Sequence, residues 1–368
     1  MTFQLQRTAL VFGLSAGFLL GATGAVHAQW TSVNANTPAA IRCITRSSSS
    51  RLIGGRVGGS PNAVEVWGST NNGTNWTRIS TVASSSTVQY GDPCFLSDGG
   101  TLVYCAFREH VGSTYQITIC RSTDGGNNWV FDSVASSNNN NRFLGAPFLW
   151  FSRDGNVQCY YDSEQAAADG GHAGFQWIAL AARPKFSYGA AWTTYTGVAC
   201  RPSNAAIFAR DGLSSVCNLD GSDMMLVCEG VDPNNTARNC LFSIKSHDNG
   251  HTWDFNSRQL IWAPRNASNI QANAYDPLAI RYGGGPVGVV FCTDDDFAAP
   301  SSNSLPPNQR NAHVKFIQTL STFDSWGGLQ TVEAGQSSMY SPGLFEIATN
   351  SLICSTDFYG GRQVIDHR

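Results

Sequence analysis

One pattern is repeated six times along this 368-residue sequence, and it constrains the fold more than any other feature. Each copy contains a proline that opens an apolar segment, and successive prolines are 55, 54, 55, 75 and 65 residues apart: Pro38, Pro93, Pro147, Pro202, Pro277 and Pro342. A tryptophan precedes each proline, and the six are Trp30, Trp76, Trp129, Trp192, Trp253 and Trp326. A repeat at this spacing indicates one supersecondary unit per copy, because each unit buries its apolar face against its neighbours.

Each copy reads as four short strands, which is the make-up of a β-propeller blade. We therefore predict an all-β fold: a six-bladed β-propeller with four antiparallel strands per blade. Trp30 opens a fourth strand that lacks its first three, whereas the copy opened by Pro342 contains only three strands. The N-terminal strand is thus expected to close the ring. No linker divides residues 29–368, so we predict a single domain, with a pair of β-sandwiches as the alternative.

A nine-residue pattern marks one end of the repeat. RSTDGGNNW at 121–129 returns as KSHDNGHTW at 245–253 and, more weakly, as GSTNNGTNW at 68–76. Its serine and aspartate side chains can bond their own backbone and its glycines tolerate positive φ, so it predicts a turn between third and fourth strands. Asp124 and Asp248 are alternative catalytic acids, but two copies far apart around a ring cannot cooperate. A turn in this place lies on the face opposite the prolines.

The N-terminus and the composition bear on where the protein works and what it binds. Residues 1–28 carry an arginine, an apolar run and a final small-residue motif, which predict a secretory signal peptide and an extracellular protein. The formal net charge is -3, and 13% of residues are charged against 11% aromatic. This balance speaks against nucleic acid and anionic membranes as partners and favours a neutral ligand.

The sequence contains 11 cysteines, mostly inside apolar strand-like runs. An exported protein can form disulfides, so we expect a few bridges, with Cys105–Cys120 and Cys217–Cys228 as candidates and the remaining thiols as small buried groups. The cysteine spacing matches no metal-binding motif. Neither a metal nor another cofactor is therefore predicted.

Polar side chains gather where second strands end, on the face that carries the prolines. Counted from the proline of its own copy, each of His110, Glu164 and Asp294 is 17 residues on. Glu229 reaches the same place if the polar segment 214–223, SSVCNLDGSD, is treated as an insert. The starts of first strands add further polar and aromatic groups: Tyr90, Asp92, Arg201, Tyr275, Asp276 and Tyr340.

Two carboxylates in neighbouring copies suggest a reaction. Glu229 directly follows the apolar run MMLVC, and Glu164 comes shortly after paired tyrosines. Glycoside hydrolysis requires such a pair, because one carboxyl with a raised pKa protonates the leaving oxygen while the other, ionised, attacks the anomeric carbon. Salt bridges to arginines across the funnel are the alternative role for both.

The two full copies of the nine-residue pattern resemble the Asp box of sialidases and related six-bladed glycosidases, with Asn71 replacing the aspartate in the weaker copy. A sialidase binds its carboxylate sugar with three arginines and attacks with a tyrosine backed by a glutamate, a pair that Tyr340 and Glu229 resemble. The chain reads Asn36-Thr-Pro38 where sialidases carry Arg-Ile-Pro, so the first arginine is missing from its place. An exo-α-sialidase stays an alternative.

Residues 30–368 are more similar to glycoside hydrolase family 93, the exo-α-1,5-L-arabinanases, notably in the segments YYDSEQ, LVCEG and YSPG. The resemblance implies a secreted retaining exo-enzyme that releases arabinobiose from the non-reducing end of linear α-1,5-L-arabinan. It further implies Glu164 as general acid/base, Glu229 as nucleophile, and Tyr340 as the hydrogen-bond partner that positions Glu229.

Further side chains on the same face are predicted to contact sugar hydroxyls and rings, and the candidates are Arg56, Arg108, His110, Arg201 and Tyr275. We expect a monomer whose partner is plant cell-wall arabinan or its oligosaccharides. A non-catalytic propeller lectin is a third hypothesis. It predicts similar sites in several blades, whereas the polar sets REH, DSEQ, CEG and TDDD differ from blade to blade.

Overall fold

The computed structural model describes ten stretches of the chain: residues 30–33, 41–48, 50–59, 62–165, 176–199, 210–232, 235–305, 309–334, 339–358 and 362–367. The predicted signal peptide, residues 1–28, lies outside them. Within these stretches no helix is long and apolar enough to span a membrane. The named elements are all β-strands.

The strands form six antiparallel sheets of four strands each, numbered here in chain order. Sheet 1 consists of β2 Thr45–Arg46, β3 Leu52–Gly58, β4 Asn62–Ser69 and β5 Thr77–Ser85, and sheet 2 of β6 Gln89–Ser97, β7 Val103–Val111, β8 Thr114–Ser122 and β9 Val130–Asn138. Sheet 3 consists of β10 Leu144–Phe151, β11 Asn156–Ser163, β12 Trp177–Pro184 and β13 Thr193–Ala199, and sheet 4 of β14 Gly212–Asn218, β15 Met224–Asp232, β16 Asn235–Ser246 and β17 Asp254–Trp262. Sheet 5 consists of β18 Ala274–Arg281, β19 Val287–Thr293, β20 His313–Thr319 and β21 Trp326–Glu333, and sheet 6 of β22 Met339–Ala348, β23 Ser351–Phe358, β24 Arg362–His367 and β1 Thr31–Val33.

The sheets are arranged around an axis, with the first strand of each sheet innermost. Successive first strands contact each other in the order β2, β6, β10, β14, β18 and β22. The ring closes where the backbone N–H of Ile41 donates to Ser355 Oγ of sheet 6 at 3.1 Å. Fully buried side chains such as Tyr104, Tyr160 and Phe291 fill the space between neighbouring sheets. The prediction of an all-β propeller of four-stranded antiparallel sheets is confirmed.

The N-terminal strand completes the sheet formed by the C-terminal strands, as predicted. In this pairing Thr31 lies opposite His367 in an antiparallel ladder. Trp30, just before the strand, is 8% exposed and packs edge-on against Phe316 of sheet 5, with 5.6 Å between ring centroids. Both ends of the described chain are therefore held in one sheet.

The nine-residue pattern folds as a turn between the third and fourth strands of sheets 1, 2 and 4. Ser122 Oγ accepts the N–H of Gly126 at 2.8 Å, and Asp124 Oδ1 accepts the N–H of Asn128 at 2.9 Å. The other two copies repeat both bonds at 2.8 to 2.9 Å, from Gly73 to Ser69, Asn75 to Asn71, Gly250 to Ser246 and Thr252 to Asp248. The prediction that the pattern forms a turn is confirmed.

The first strand of sheet 4 is Gly212–Asn218, so the prediction that Pro202 opens it and that residues 214–223 form an insert is wrong. Pro202 itself lies outside the described residues. Ser215 is fully buried in this strand, and its Oγ accepts the backbone N–H of Ala279 in sheet 5 at 2.8 Å. A serine that bonds the neighbouring sheet can occupy a core strand, which is why this segment reads as polar in sequence.

The cysteines of the described chain are buried free thiols. The bridges expected at Cys105–Cys120 and Cys217–Cys228 are therefore not formed. Cys217 lies opposite Met225 in its ladder, three positions from Cys228, which puts that pair out of register. Cys105 does lie opposite Cys120, and both side chains pack as small apolar groups in the core.

Candidate active site

A β-bulge interrupts the first strand of five sheets near the face that carries the prolines. The bulged residue has a positive φ between 43 and 58° in every case: Asp92, Ala146, Leu213, Asp276 and Ser341. The second-strand residues paired just before these bulges are Arg108, Asp162, Glu229, Cys292 and Asp357. Because a bulge re-aims nearby side chains, these equivalent positions bring different chemical groups to one level along the propeller axis.

This register corrects the alignment obtained by counting from the prolines. Glu229 is equivalent to Asp162, and Glu164 follows two residues later, just past the end of its strand. The count failed because Leu213 takes the bulge position of sheet 4 with no proline after it. Counting from Pro202 therefore placed Glu229 two positions too far along its blade.

A cavity of about 550 Å³ opens among these positions. Its lining comes from sheets 2 to 5 and comprises Asp92, Phe143, Ala146, Asp162, Gln176, Arg210, Leu213, Glu229, Val231, Asn303, Ser304, Leu305 and Arg310. Three of these residues are acids and two are arginines. A concave site with a few convergent polar groups is the usual form of a small-molecule site, so this cavity is the candidate active site.

Glu229 is the most constrained acid in the cavity. Its side chain is 8% exposed, and Oε2 accepts the backbone N–H of Asp276 in sheet 5 at 2.8 Å. Nδ2 of Asn239 lies 3.5 Å from Oε1. Burial raises the pKa of the Glu229 carboxyl, while Arg310 and the Asp276 N–H oppose that rise. A carboxylate that is fixed on one side and faces a cavity on the other suits a catalytic role.

Asp162 brings a second acid to the same cavity from sheet 3, and it is 2% exposed. Both its oxygens lie within hydrogen-bonding distance of the Leu213 N–H, at 3.0 and 3.2 Å, and Gln176 Nε2 donates to Oδ2 at 3.2 Å. Burial raises the pKa of Asp162 well above its usual range, and the charge of Glu229 adds to this rise. Asp162 is thus held by the next sheet and favours its protonated form.

Glu164 is not among the residues that line the cavity, but it lies beside one that is. Its backbone N–H donates to the carbonyl of Phe143 at 3.0 Å, and its Oε2 accepts the Phe143 N–H at 3.4 Å. Phe143 lines the cavity, so Glu164 stands at the cavity margin. Of the other predicted residues, Arg201 and the side chain of Tyr340 lie outside the described part of the chain.

Two predicted substrate contacts, Arg56 and Tyr275, are not among the residues that line the cavity. Arg56 donates through Nε to Glu65 at 2.8 Å and covers the ring of Trp67, so its guanidinium is used within sheet 1. Tyr275 is fully buried beneath the guanidinium of Arg310, 4.8 Å from its ring centroid.

Arg108 and His110 lie near the edge of the cavity. Arg108 Nε is 3.2 Å from Asp92 Oδ2, and its guanidinium lies over the ring of Phe143. His110 stacks on Tyr115 with 3.9 Å between ring centroids. Asp92 and Phe143, which Arg108 contacts, line the cavity, and Tyr115, on which His110 stacks, packs edge-on against Phe143 with 5.8 Å between ring centroids.

One wall of the cavity was missed by the sequence interpretation. Asn303, Ser304 and Leu305 belong to the connection between β19 and β20, and Arg310 fixes this segment by donating to the carbonyls of Leu305 at 2.7 Å and Asn303 at 2.6 Å. Asn303 Nδ2 also donates to Asn239 Oδ1 at 2.9 Å. No local sequence pattern predicts this wall, because the bond between Asn303 and Asn239 joins residues far apart in the chain.

A second cavity of about 660 Å³ lies around the same axis at the other ends of the first strands. Apolar side chains such as Phe95, Trp150 and Phe345 dominate its lining, and Glu346 is its acid. Although this cavity is larger, it lacks the pair of acids that a glycosidic bond requires. The chemistry therefore favours the smaller cavity.

The sequence matches no protein-family model and no curated protein. Among solved structures, the fold is similar to an α-L-arabinanase of Penicillium chrysogenum complexed with arabinobiose, at 15% identity over 92% of this chain and 97% of that chain, with a TM-score of 0.65. A family 93 α-L-arabinofuranosidase of Fusarium graminearum with arabinobiose gives the same values. The NanB sialidase of Streptococcus pneumoniae is similar at 10% identity over 89% of this chain and 68% of that chain, with a TM-score of 0.56.

At identities this low, the similarity establishes a shared fold and nothing finer. The resemblance to glycoside hydrolase family 93 is confirmed at that level, since members of the family share the fold over 92% of this chain. A fold can host unrelated activities, so the activity must be argued from the residues of the site.

Proposed function

We propose that this protein is a secreted retaining exo-glycoside hydrolase that releases arabinobiose from the non-reducing end of linear α-1,5-L-arabinan. The observation that carries the proposal is the buried carboxylate of Glu229, which shares a cavity with Asp162 of the neighbouring sheet, while Glu164 stands at the cavity margin. Two proteins of the same fold hold arabinobiose in their solved structures. Secretion rests on the apolar N-terminal segment, residues 1–28.

In the proposed mechanism Glu229 is the nucleophile. Its ionised carboxylate attacks the anomeric carbon of the bound arabinosyl unit while Glu164 gives a proton to the departing oxygen. The bond between the anomeric carbon and that oxygen breaks, and a glycosyl-enzyme ester forms on Glu229. Glu164 then takes a proton from the water that hydrolyses the ester, which restores both acids and retains the anomeric configuration.

Glu164 is preferred to Asp162 as the acid/base because of how each side chain is held. Asp162 accepts bonds from the Leu213 N–H and from Gln176, so its oxygens are already occupied by the protein. Glu164 accepts one long bond, from the Phe143 N–H at 3.4 Å, and keeps freedom to reach a leaving oxygen. A general acid must come within hydrogen-bond distance of that oxygen.

Arg108, His110, Arg201 and Tyr340 complete the proposal as substrate contacts or as the partner of Glu229. An exo-α-sialidase is less well supported. It needs several arginines that are free to bind a carboxylate sugar. Of the two arginines in the described cavity lining, Arg310 donates through both Nε and Nη2 to loop carbonyls.

A substrate panel tests the proposal. The purified protein is incubated separately with debranched arabinan, sialyllactose and p-nitrophenyl arabinofuranoside, and early products are separated by chromatography. We expect arabinobiose as the first product from arabinan, with the anomeric configuration retained in proton NMR. Cleavage of sialyllactose alone would support the sialidase, and binding to arabinan without cleavage would support the lectin. Long oligosaccharides as first products would overturn the exo mode.

A further inference from the structure

Arg42 reaches from one side of the ring to the other, just before the first strand of sheet 1. Its Nη2 donates to the backbone carbonyls of Leu213 in sheet 4 at 3.0 Å and Pro277 in sheet 5 at 3.1 Å. Its Nε faces Asp276 Oδ1 at 3.8 Å, and the side chain is 11% exposed. One buried guanidinium therefore joins three sheets at the propeller axis.

The two backbone segments that Arg42 holds are the bulges that hold the acids of the candidate active site. The N–H of Leu213 donates to Asp162, and the N–H of Asp276 donates to Glu229 Oε2. Arg42 takes the carbonyl of the first bulge and the carbonyl that follows the second. The acids and Arg42 thus bond the same bulges: the acids accept their N–H groups, and Arg42 donates to their carbonyls or the next carbonyl.

The backbone conformation of Leu213 is one that such hydrogen bonds must stabilise. Its φ is 50°, in the left-handed region that bulky side chains avoid. Asp276 has a similar φ of 58°, but aspartate tolerates the region better and its Oδ2 also accepts the Ser341 N–H. Leu213 has no polar side chain, so its backbone must be held by its neighbours. Asp162 holds the N–H, and Arg42 holds the carbonyl.

Arg42 also separates the two cavities on the axis. Leu213, which it contacts, lines the candidate active site, while Cys43, the next residue along the chain, lines the second cavity. Arg42 is not among the residues that line either cavity. Its effect on the reaction is therefore expected through the bulges that it holds and through its charge, which opposes the rise in the pKa of Asp162.

We propose that Arg42 is a positioning residue: it fixes the two bulges whose N–H groups orient Asp162 and Glu229, and so sets the geometry of the active site. This inference rests on the proposed function for its kinetic consequence. A displacement of about 1 Å at a reacting group lowers the rate about a hundredfold, even when the mutated residue never touches the substrate.

The test compares three variants with the wild type on debranched arabinan. Arg42→Met removes both donated bonds, and we expect kcat to fall about 10- to 100-fold while KM changes less than about threefold, because substrate contacts remain. Arg42→Lys keeps the charge but loses the forked donor geometry, and an intermediate kcat is expected. Arg46→Met is the matched control: Arg46 ties sheet 1 to the Ile347 carbonyl of sheet 6, away from the acids, so kcat should stay near the wild-type value.

Crystal structures of the wild type and of the two Arg42 variants provide a readout that needs no substrate. We expect the Leu213 N to Asp162 and Asp276 N to Glu229 distances to lengthen beyond 3.5 Å in Arg42→Met. Unchanged distances, a wild-type kcat in either Arg42 variant, or a rise in KM alone would overturn the positioning role. If Arg42→Met does not fold, Arg42→Lys carries both measurements.

The same experiments keep the two proposals apart. A wild-type protein that cleaves no arabinan defeats the proposed function, and the distances in the variant structures then decide the role of Arg42 alone. A wild-type protein that cleaves arabinan, together with an Arg42→Met variant of wild-type kcat, defeats only the positioning role.

Discussion

The carboxylate of Glu229 accepts the backbone N–H of Asp276 and a longer bond from Asn239 Nδ2, and that of Asp162 accepts the backbone N–H of Leu213 and a bond from Gln176 Nε2. The two residues occupy equivalent positions in neighbouring sheets, so their different chemistry comes from their surroundings. Burial raises the pKa of both carboxyls, and an arginine opposes the rise at each: Arg42 at Asp162 and Arg310 at Glu229. Arg310 and the Asp276 N–H favour the ionised form of Glu229, which the proposed attack requires.

Replacing the nucleophile should abolish turnover. We expect Glu229→Gln to lower kcat on arabinan by at least about 10³-fold, because an amide cannot form the glycosyl ester. The matched control is Glu109→Gln, since Glu109 is half-buried in sheet 2, is not among the residues that line the cavity, and accepts a bond from Gln116. Equal activities of these two variants in a reducing-sugar assay would contradict the assignment of Glu229.

The pH profile should respond to Arg310. Its positive charge lowers the pKa of Glu229 against the effect of burial, so removing the charge in Arg310→Met should raise that pKa further. Attack requires the ionised carboxylate, so the acid limb of kcat/KM should move to higher pH. Arg153→Met removes the same charge at the second cavity and should leave the limb in place. An acid limb that moves to lower pH in Arg310→Met would contradict the proposed electrostatics.

The bulges of five blades and the nine-residue turns of three blades have different roles. The bulges lie at the face of the candidate active site, where positive φ values at Asp92 and Asp276 aim side chains and N–H groups toward the axis. The nine-residue turns join the third and fourth strands and bond their own backbone, as in Ser122 and Asp124. The first element shapes the chemistry, and the second stabilises the blade.

The weaker copy of the turn supplies its own control. Asn71 Oδ1 accepts the N–H of Asn75 at 2.9 Å, as Asp124 Oδ1 does with Asn128. Asp124→Asn should therefore be nearly neutral, whereas Asp124→Ala should lower the free energy of unfolding by about 1 kcal/mol, the usual cost of losing a capping side chain. Urea unfolding measures both values. Similar losses in both variants would show that charge, rather than the bond, stabilises the turn.

Closure of the ring is a property of the whole molecule, and Trp30 offers a way to measure it. This residue precedes the strand that pairs with β24, and its ring packs on Phe316. Trp30→Ala should lower the free energy of unfolding by about 3 to 5 kcal/mol, because it opens a cavity between sheets 5 and 6. Phe131→Ala is the control, since Phe131 is 66% exposed. Equal urea midpoints for the two variants would show that the N-terminal strand contributes little to closure.

Much of the propeller could be predicted because its signals are local. One tryptophan marks each blade, a self-bonded turn marks three of the six, and the N-terminal strand was expected in the last sheet. The bulge at Leu213 had no such mark, since no proline follows it. The alignment of Glu229 with Glu164 was wrong for this reason, since Asp162 holds the equivalent position.

The sequence by itself determined the strand pattern, the turns, and the presence of acids near the ends of second strands, because these follow from periodicity and from bonds within a few residues. Only the tertiary structure decided which acids share a cavity. The bonds that hold Asp162 and Glu229 span 51 and 47 residues, and the Arg42 bonds span 171 and 235. Contacts of that range depend on how sheets pack around the axis, which no local pattern specifies.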